Sequence, residues 1–279
     1  MDIEAQIRKA QAFRNMHDRS NILVLPNAWD AVTARLFERL EFGAVATTSG
    51  GVSWSLGYPD GEHAPLGEVV AATRRIVRAV DVPVTVDMEA GYGATPEAVA
   101  DTVRAVIEVG AVGINLEDGL HAPGGLRDSG EAAERIRAAR EAAASAGVPI
   151  VINARTDTYL LKYGASDAER FDETVKRAKA YLAAGADCVY PIGLADGATL
   201  GALVKALDAP INVAARPGIP SVTELARLGV ARVSTATRFA TLALSAVAGA
   251  AKELHETGRF DCLEASLTHP DLQRLFGRA

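Results

Sequence analysis

One small unit recurs along this chain and limits what it can fold into: a glycine between a helical stretch and an apolar run. It occurs as Phe42-Gly43-Ala44, Val109-Gly110-Ala111, Ala146-Gly147-Val148, Ala184-Gly185-Ala186 and Leu228-Gly229-Val230. Glycine there ends a helix in a left-handed turn and releases the next strand. Apolar runs and helical spacing fill the intervals. Strands are expected at 22–25, 43–48, 83–89, 112–117, 149–153, 187–190, 210–213 and 231–234. Helices are expected at about 30–39, 65–80, 96–109, 129–146, 167–184, 198–207, 221–228 and 237–256. A separate amphipathic helix is expected at 2–16 and a short one after 261, and residues 49–64 read as a long Gly/Ser/Pro/Asp loop. Eight strands alternating with eight helices specify a parallel sheet covered by helices. No linker interrupts the 279 residues, and no Gly-x-Gly-x-x-Gly follows the first strand. The expectation is therefore an α/β chain folded as one (β/α)8 TIM barrel over residues 1–279, ahead of an open doubly wound sheet.

Composition then removes several partners. Lys and Arg number 29 against 35 Asp and Glu, giving a net charge of -6 and a pI near 5.5. There is no basic stripe, so neither nucleic acid nor an anionic membrane is an expected partner. The most apolar run, Phe239–Ala251, is too short and alanine-rich to span a bilayer and reads as a buried helix. Met1–Phe13 carries no signal-peptide core. Cys188 and Cys262 lack metal or redox spacing, which suits the reducing cytoplasm.

The chemistry gathers at strand ends. In Pro83–Gly93 the strand alternation places Thr85, Asp87 and Glu89 on one face. The next strand puts Asn115 and Glu117 on its inward face, and the one after puts Asn153 and Arg155 there. Four charged side chains at the same end of neighbouring strands form a constellation. Buried carboxylates need a cation between them, and magnesium suits oxygen ligands. Asp87, Glu89 and Glu117 are thus candidate metal ligands. Arg155 suits a carboxylate or phosphonate, and Ser49-Gly50-Gly51 offers backbone N–H groups to a small anion. Together they describe a pocket for a small 2-oxo acid, with a metal stabilising an enolate. His63 and His121, in loops near the mouth, are candidate acid/base groups, weighed against exposed loop histidines.

The motifs Thr48-Ser49-Gly50, Leu56-Gly57-Tyr58-Pro59-Asp60, Val86-Asp87-Met88-Glu89-Ala90-Gly91-Tyr92-Gly93, Leu116-Glu117-Asp118 and Asn153-Ala154-Arg155-Thr156-Asp157 run in one order across about residues 20–240. In that set the chain resembles the isocitrate lyase/phosphoenolpyruvate mutase superfamily. The resemblance implies a barrel whose last helix is swapped between subunits of a homo-oligomer, a dimer or tetramer, and it implies magnesium. It implies Asp87 as direct metal ligand, Glu89 and Glu117 near it, Ser49, Gly50 and Arg155 on the oxo acid, and Asp60 as a loop acid at the site.

The chain departs from the pattern at three places. Glu89 stands where the family usually has a second aspartate. The segment Asp118–Arg127 lacks the Lys-Lys-Cys-Gly-His loop of the lyases and the lysine and asparagine of the mutases. Strand six ends Tyr190-Pro191-Ile192-Gly193, without the histidine or glutamate of some relatives. The first departure leaves a reach long enough for a water-mediated position, and the second argues against isocitrate cleavage by the usual route. The expected function is a magnesium-dependent lyase on a small 2-oxo acid or related dicarboxylate. Asp60, Arg155 and His121 are the candidate catalytic residues, and Ser49, Gly50, Gly51, Asn153 and Arg155 the substrate-binding ones. Phosphonopyruvate-type P–C chemistry and non-catalytic 2-oxo acid binding are the alternatives.

Overall fold

The computed structural model describes residues 2–121 and 124–277. Ala122 and Pro123, within the loop that lacks the lyase motif, lie outside the described residues. Helix α1 (Ile3–Asn15) precedes β1 (Leu23–Leu25), β2 (Asn27–Ala28), α2 (Ala31–Arg39), β3 (Val45–Thr47), α3 (Ser49–Leu56), α4 (Leu66–Ala79) and β4 (Val84–Asp87). There follow α5 (Pro96–Glu108), β5 (Gly113–Glu117), α6 (Ser129–Ser145), β6 (Val151–Thr156), α7 (Asp167–Ala183), β7 (Cys188–Pro191) and α8 (Gly197–Ala206). The chain ends through β8 (Asn212–Ala214), α9 (Val222–Arg227), β9 (Arg232–Ser234), α10 (Arg238–Thr257) and α11 (His269–Phe276).

All strand pairs are parallel, in the orders β1-β9-β8 and β2-β3-β4-β5-β6-β7. The two sheets are parts of one barrel, as expected from the rhythm. They meet at two seams. At β7 and β8 the Val189 N–H donates to the Pro210 carbonyl at 3.0 Å, and Val189 bridges Ile211. At the other seam β1 and β2 are one extended stretch broken at Pro26, which has no N–H to give. Asn27 repairs that break with its side chain. Its Oδ1 accepts the N–H groups of Thr235 (2.8 Å) and Ala236 (3.0 Å), and its Nδ2 donates to the Thr47 carbonyl at 2.6 Å.

The outward faces of β4, β5 and β6 (Val86, Ile114, Leu116, Ile152, Ala154) pack with the apolar stripes of α5 and α6 into the largest core cluster. A second cluster joins β7, β8 and β9 to α8 and α9. Helix α1 is fastened to the N-terminal end of the strands. Gln6 donates to the Ile107 and Ala111 carbonyls at 2.8 and 3.0 Å, and Asp187 pairs with both Arg14 and Arg140. Among the described residues no helix is long and apolar enough to cross a membrane.

Two sequence expectations need correction. The supposed loop 49–64 begins with a helix, α3. Its first turn holds Gly50 and Gly51, which lower helix propensity and hide it, and Gly57 ends it with φ +89°. The run Phe239–Ala251 is not buried within the chain. Of α10 only Ala240 is buried, and Leu242, Leu244 and Val247 are more than half exposed. Its hydrophobicity reflects a face that this chain alone leaves uncovered.

His17 gives the barrel floor an acid sensitivity. Its ring stands edge-on to Phe13 at 4.9 Å, Nδ1 contacts the Phe13 carbonyl at 2.9 Å, and Nε2 is buried without a partner. Burial, then the charge of Arg232, lowers its pKa from 6.5 to about 4. The unfolded chain therefore takes the proton first, so stability holds above the unfolded value and falls as pH drops toward the folded one. Between pH 7 and 4.5 this one group removes about 2–3 kcal/mol. In urea titrations at those two pH values, His17→Gln is expected to shrink the difference by that amount. An unchanged difference would place the acid sensitivity elsewhere.

Candidate active site

The carboxyl ends of β3 to β6 converge on a cavity of about 290 Å³. Ser49, Asp60, Gly61, Glu89, Glu117, His121, Arg155 and Asp157 line it, with Leu160 and Leu161 on one side. The strand phase read from the sequence is the phase found: Asp87, Glu117 and Arg155 point inward while Val86, Leu116 and Ala154 enter the core.

Arg155 is the hub. Its Nε and Nη2 donate to the two oxygens of Asp157 at 2.7 and 2.9 Å, and its Nη1 pairs with Glu117 Oε2. A guanidinium has five N–H donors, so two remain for a ligand. Burial alone would lower its pKa, but the carboxylates of Glu117 and Asp157 outweigh it and hold the charge in place. Glu117 feels the opposite pressure. Burial lifts its carboxyl well above the usual range, Arg155 opposes, and Asp157, Asp87 and Glu89 add to the lift.

Asp87 sits between the α3 N-terminus and the acids. The Ser49 N–H reaches its Oδ2 at 3.3 Å, and its own N–H donates to Thr47 Oγ1 at 2.9 Å. Its Oδ1 is buried with no partner. Asp60 lies alongside, its carboxyl pushed up by burial and then by Asp87. Glu89 is 2% exposed. Burial, then Asp87, pushes its carboxyl up to about 7. Its oxygens accept from Tyr92 Oη (2.9 Å) and the Glu62 N–H (2.7 Å). His121 Nε2 stands 3.3 Å from Glu117 Oε1 and 3.6 Å from Glu89 Oε2.

The expected substrate-binding groups separate on inspection. Ser49 lines the cavity, and Gly50 lies beside it: a Cβ there would come 3.1 Å from Asp60 Oδ2. Gly51 turns away. An added Cβ would meet Thr48 at 2.7 Å and Trp29 at 2.8 Å, so this glycine serves packing. Asn153 is fully buried below the cavity and donates to Asn115 Oδ1 at 2.8 Å. His63 is exposed. Sequence reading missed Glu62, whose contact with Glu89 spans 27 positions, and Asp118, whose buried carboxylate anchors the backbone of Asp157 from the other side of β5.

The donor set fits a hard divalent cation. The carboxylates offer only oxygen, they include a buried unpartnered Asp87 Oδ1, and five of them (Asp60, Asp87, Glu89, Glu117 and Asp157) stand against one arginine. Among the described residues no three His, Cys, Asp or Glu side chains converge on one point. A cation here would keep several waters as ligands, as magnesium commonly does.

The family pattern described as phosphoenolpyruvate phosphomutase matches residues 13–255. The chain belongs to that family. It is 32% identical over 209 residues to 2-methylisocitrate lyase of Escherichia coli K12, covering 72% of this chain and 68% of the lyase. A crystal structure from Burkholderia cenocepacia J2315, provisionally assigned as a phosphonomutase, is 42% identical with a TM-score of 0.85, covering 89% of this chain and 99% of that one. Oxaloacetate acetylhydrolase bound to its product oxalate is 25% identical with a TM-score of 0.85, covering 96% of this chain and 94% of that one. These relatives of the phosphoenolpyruvate mutase/isocitrate lyase superfamily are lyases, mutases and hydrolases, and the barrel is shared with them.

Proposed function

We propose that this family member is a divalent-metal-dependent lyase that cleaves a C–C bond in, or decarboxylates, a small 2-oxo acid or related dicarboxylate. The observation that carries the reading is the pairing of three acids that line one small cavity (Asp60, Glu89, Glu117), with the charge of Asp87 acting on all three, and Arg155 across it. At about 290 Å³ it falls below the range of about 300–1,000 Å³ usual for drug-sized ligands and suits a small acid. Magnesium held by Asp87, with Glu89 and Glu117 ordering its waters, would supply electrostatic stabilisation for negative charge developing on the keto oxygen. Arg155 presents its two remaining N–H donors to a substrate carboxylate, aided by Ser49 and Gly50 at the start of α3. Asp60 or His121 moves the proton, since each reaches the cavity and the lyase cysteine loop is absent.

The experiment is a substrate panel followed by NMR: oxaloacetate, 2-oxoglutarate and alkylated malates against phosphonopyruvate, each with magnesium and with a chelator. Product from a C–C substrate, lost on chelation, is the expected result. Product from phosphonopyruvate alone would favour the second reading, P–C chemistry, which the 42% identity to the Burkholderia protein supports. Binding without product would make the chain a 2-oxo acid binding protein. On the same preparation Asp87→Ala is expected to weaken manganese binding, read by electron paramagnetic resonance, at least about tenfold. Parent-like binding removes Asp87 from the metal set. The protein acts, in this reading, as a cytoplasmic homo-oligomer with the apolar face of α10 seated on a second copy, and a monomer by light scattering would discard that part.

A further inference from the structure

We propose that Glu62 is a positioning residue: it clips the loop carrying Asp60 to the loop carrying Glu89, so that both acids reach the cavity as one rigid unit. Three hydrogen bonds make the clip. The Glu62 N–H donates to Glu89 Oε2 at 2.7 Å, the Tyr92 N–H donates to Glu62 Oε1 at 2.6 Å, and Tyr92 Oη donates to Glu89 Oε1 at 2.9 Å. Glu62 donates once and accepts once, Tyr92 donates twice, and Glu89 accepts twice, so each residue is held by two of the three bonds.

The backbone shows that the ring is held against resistance. Glu62, Glu89 and Tyr92 lie at φ +59°, +49° and +55°, the left-handed region that side-chain-bearing residues avoid. Six non-glycine residues of the described chain adopt positive φ, and three of them meet in this one cross-link. Such conformations persist where surrounding contacts over-determine them, and they gather at functional sites.

The second loop is also gripped from below. Arg135, 1% exposed, donates through Nη2 to the carbonyls of Ala90 and Gly93, the latter at 2.7 Å. Its Nε and Nη1 have no partner, and Glu62 is one of the acids whose charge acts on it. Residues 89–93 thus lie between a buried guanidinium and the Glu62 carboxylate. Asp60 is two residues before Glu62, with Gly61 at φ +100° between them. Freeing Glu62 therefore frees Asp60.

Amide hydrogen exchange on the full chain reads the clip directly, whatever the substrate. In Glu62→Ala, amides of residues 57–64 and 90–93 are expected to exchange about tenfold or more faster, with the rest of the barrel unchanged. Glu62→Gln keeps its backbone N–H and a side-chain oxygen for Tyr92, and is expected to restore parent-like protection. Glu62→Ala removes the bond from the Tyr92 N–H and Tyr92→Phe removes the bond from Tyr92 Oη, so Tyr92→Phe is expected to speed exchange in the same two segments. Turnover adds a readout that rests on the lyase reading above: kcat of Glu62→Ala is expected to fall about tenfold or more with KM changed less than about threefold, and Glu62→Gln to recover it. Exchange in Glu62→Ala equal to the parent, or Glu62→Gln as fast as Glu62→Ala, overturns the proposal. Absence of turnover in the parent counts against the lyase reading only, since exchange is measured without substrate.

Discussion

Arg155→Met is expected to lose about 3–5 kcal/mol of stability and to bind a small dicarboxylate about 10–150-fold more weakly. The side chains of Glu117 and Asp157 are 3% and 6% exposed, and Arg155 is the cation paired with both. Methionine fills much of the volume but leaves two buried carboxylates without a counter-charge, so one must take up a proton or draw in water. Ligand binding falls for a separate reason, because the two N–H donors left over after these pairs disappear with the guanidinium. Loss of a charge-assisted, fork-shaped contact weakens binding by about 10–150-fold. Urea unfolding at pH 7 reads the first effect and oxalate titration by calorimetry the second. Arg155→Lys keeps the charge but not the fork and should recover part of the stability with little of the binding. A Met variant within about 1 kcal/mol of the parent would show that Glu117 and Asp157 do not depend on this cation.

Asp118→Ala is expected to be equally damaging, although Asp118 touches no part of the cavity. It is 1% exposed and accepts from Thr156 Oγ1 (2.9 Å), the Asp157 N–H (2.9 Å), Tyr181 Oη (2.6 Å) and Arg177 Nη1 (3.1 Å). Removing it strands a buried hydroxyl, a phenol and an amide, and takes one of the two carboxylates from Arg177. Burial and the Asp118 charge also hold the Tyr181 phenol well above its usual pKa. The expected loss is about 3–5 kcal/mol, with Asp118→Asn, which keeps the shape and some acceptors, losing about half as much. The Asp157 backbone is anchored by Asp118, and Asp157 in turn aims Arg155. Oxalate affinity should therefore drop in Asp118→Asn even where the fold survives. Parent-like affinity in that variant would uncouple the outer anchor from the site.

The order of strands and helices, and the inward phase of Asp87, Glu117 and Arg155, were determined by the sequence. Both follow from local rules: glycine after a helix, alternation along a strand, and the gathering of strand ends at one face of a barrel. Those rules act over a few residues, so they are legible without coordinates. Tertiary structure decided what depends on distant partners. It joined Asn27 to Thr235 across 208 positions, turned Asp118 outward as a buried anchor, and put Gly51 and Asn153 outside the cavity. It placed Glu62 on Glu89 through three left-handed residues that no propensity favours. It also left the apolar face of α10 exposed, where the apolar, alanine-rich composition suggested burial. Hydrophobic pattern states which residues seek cover; only packing in three dimensions states what covers them.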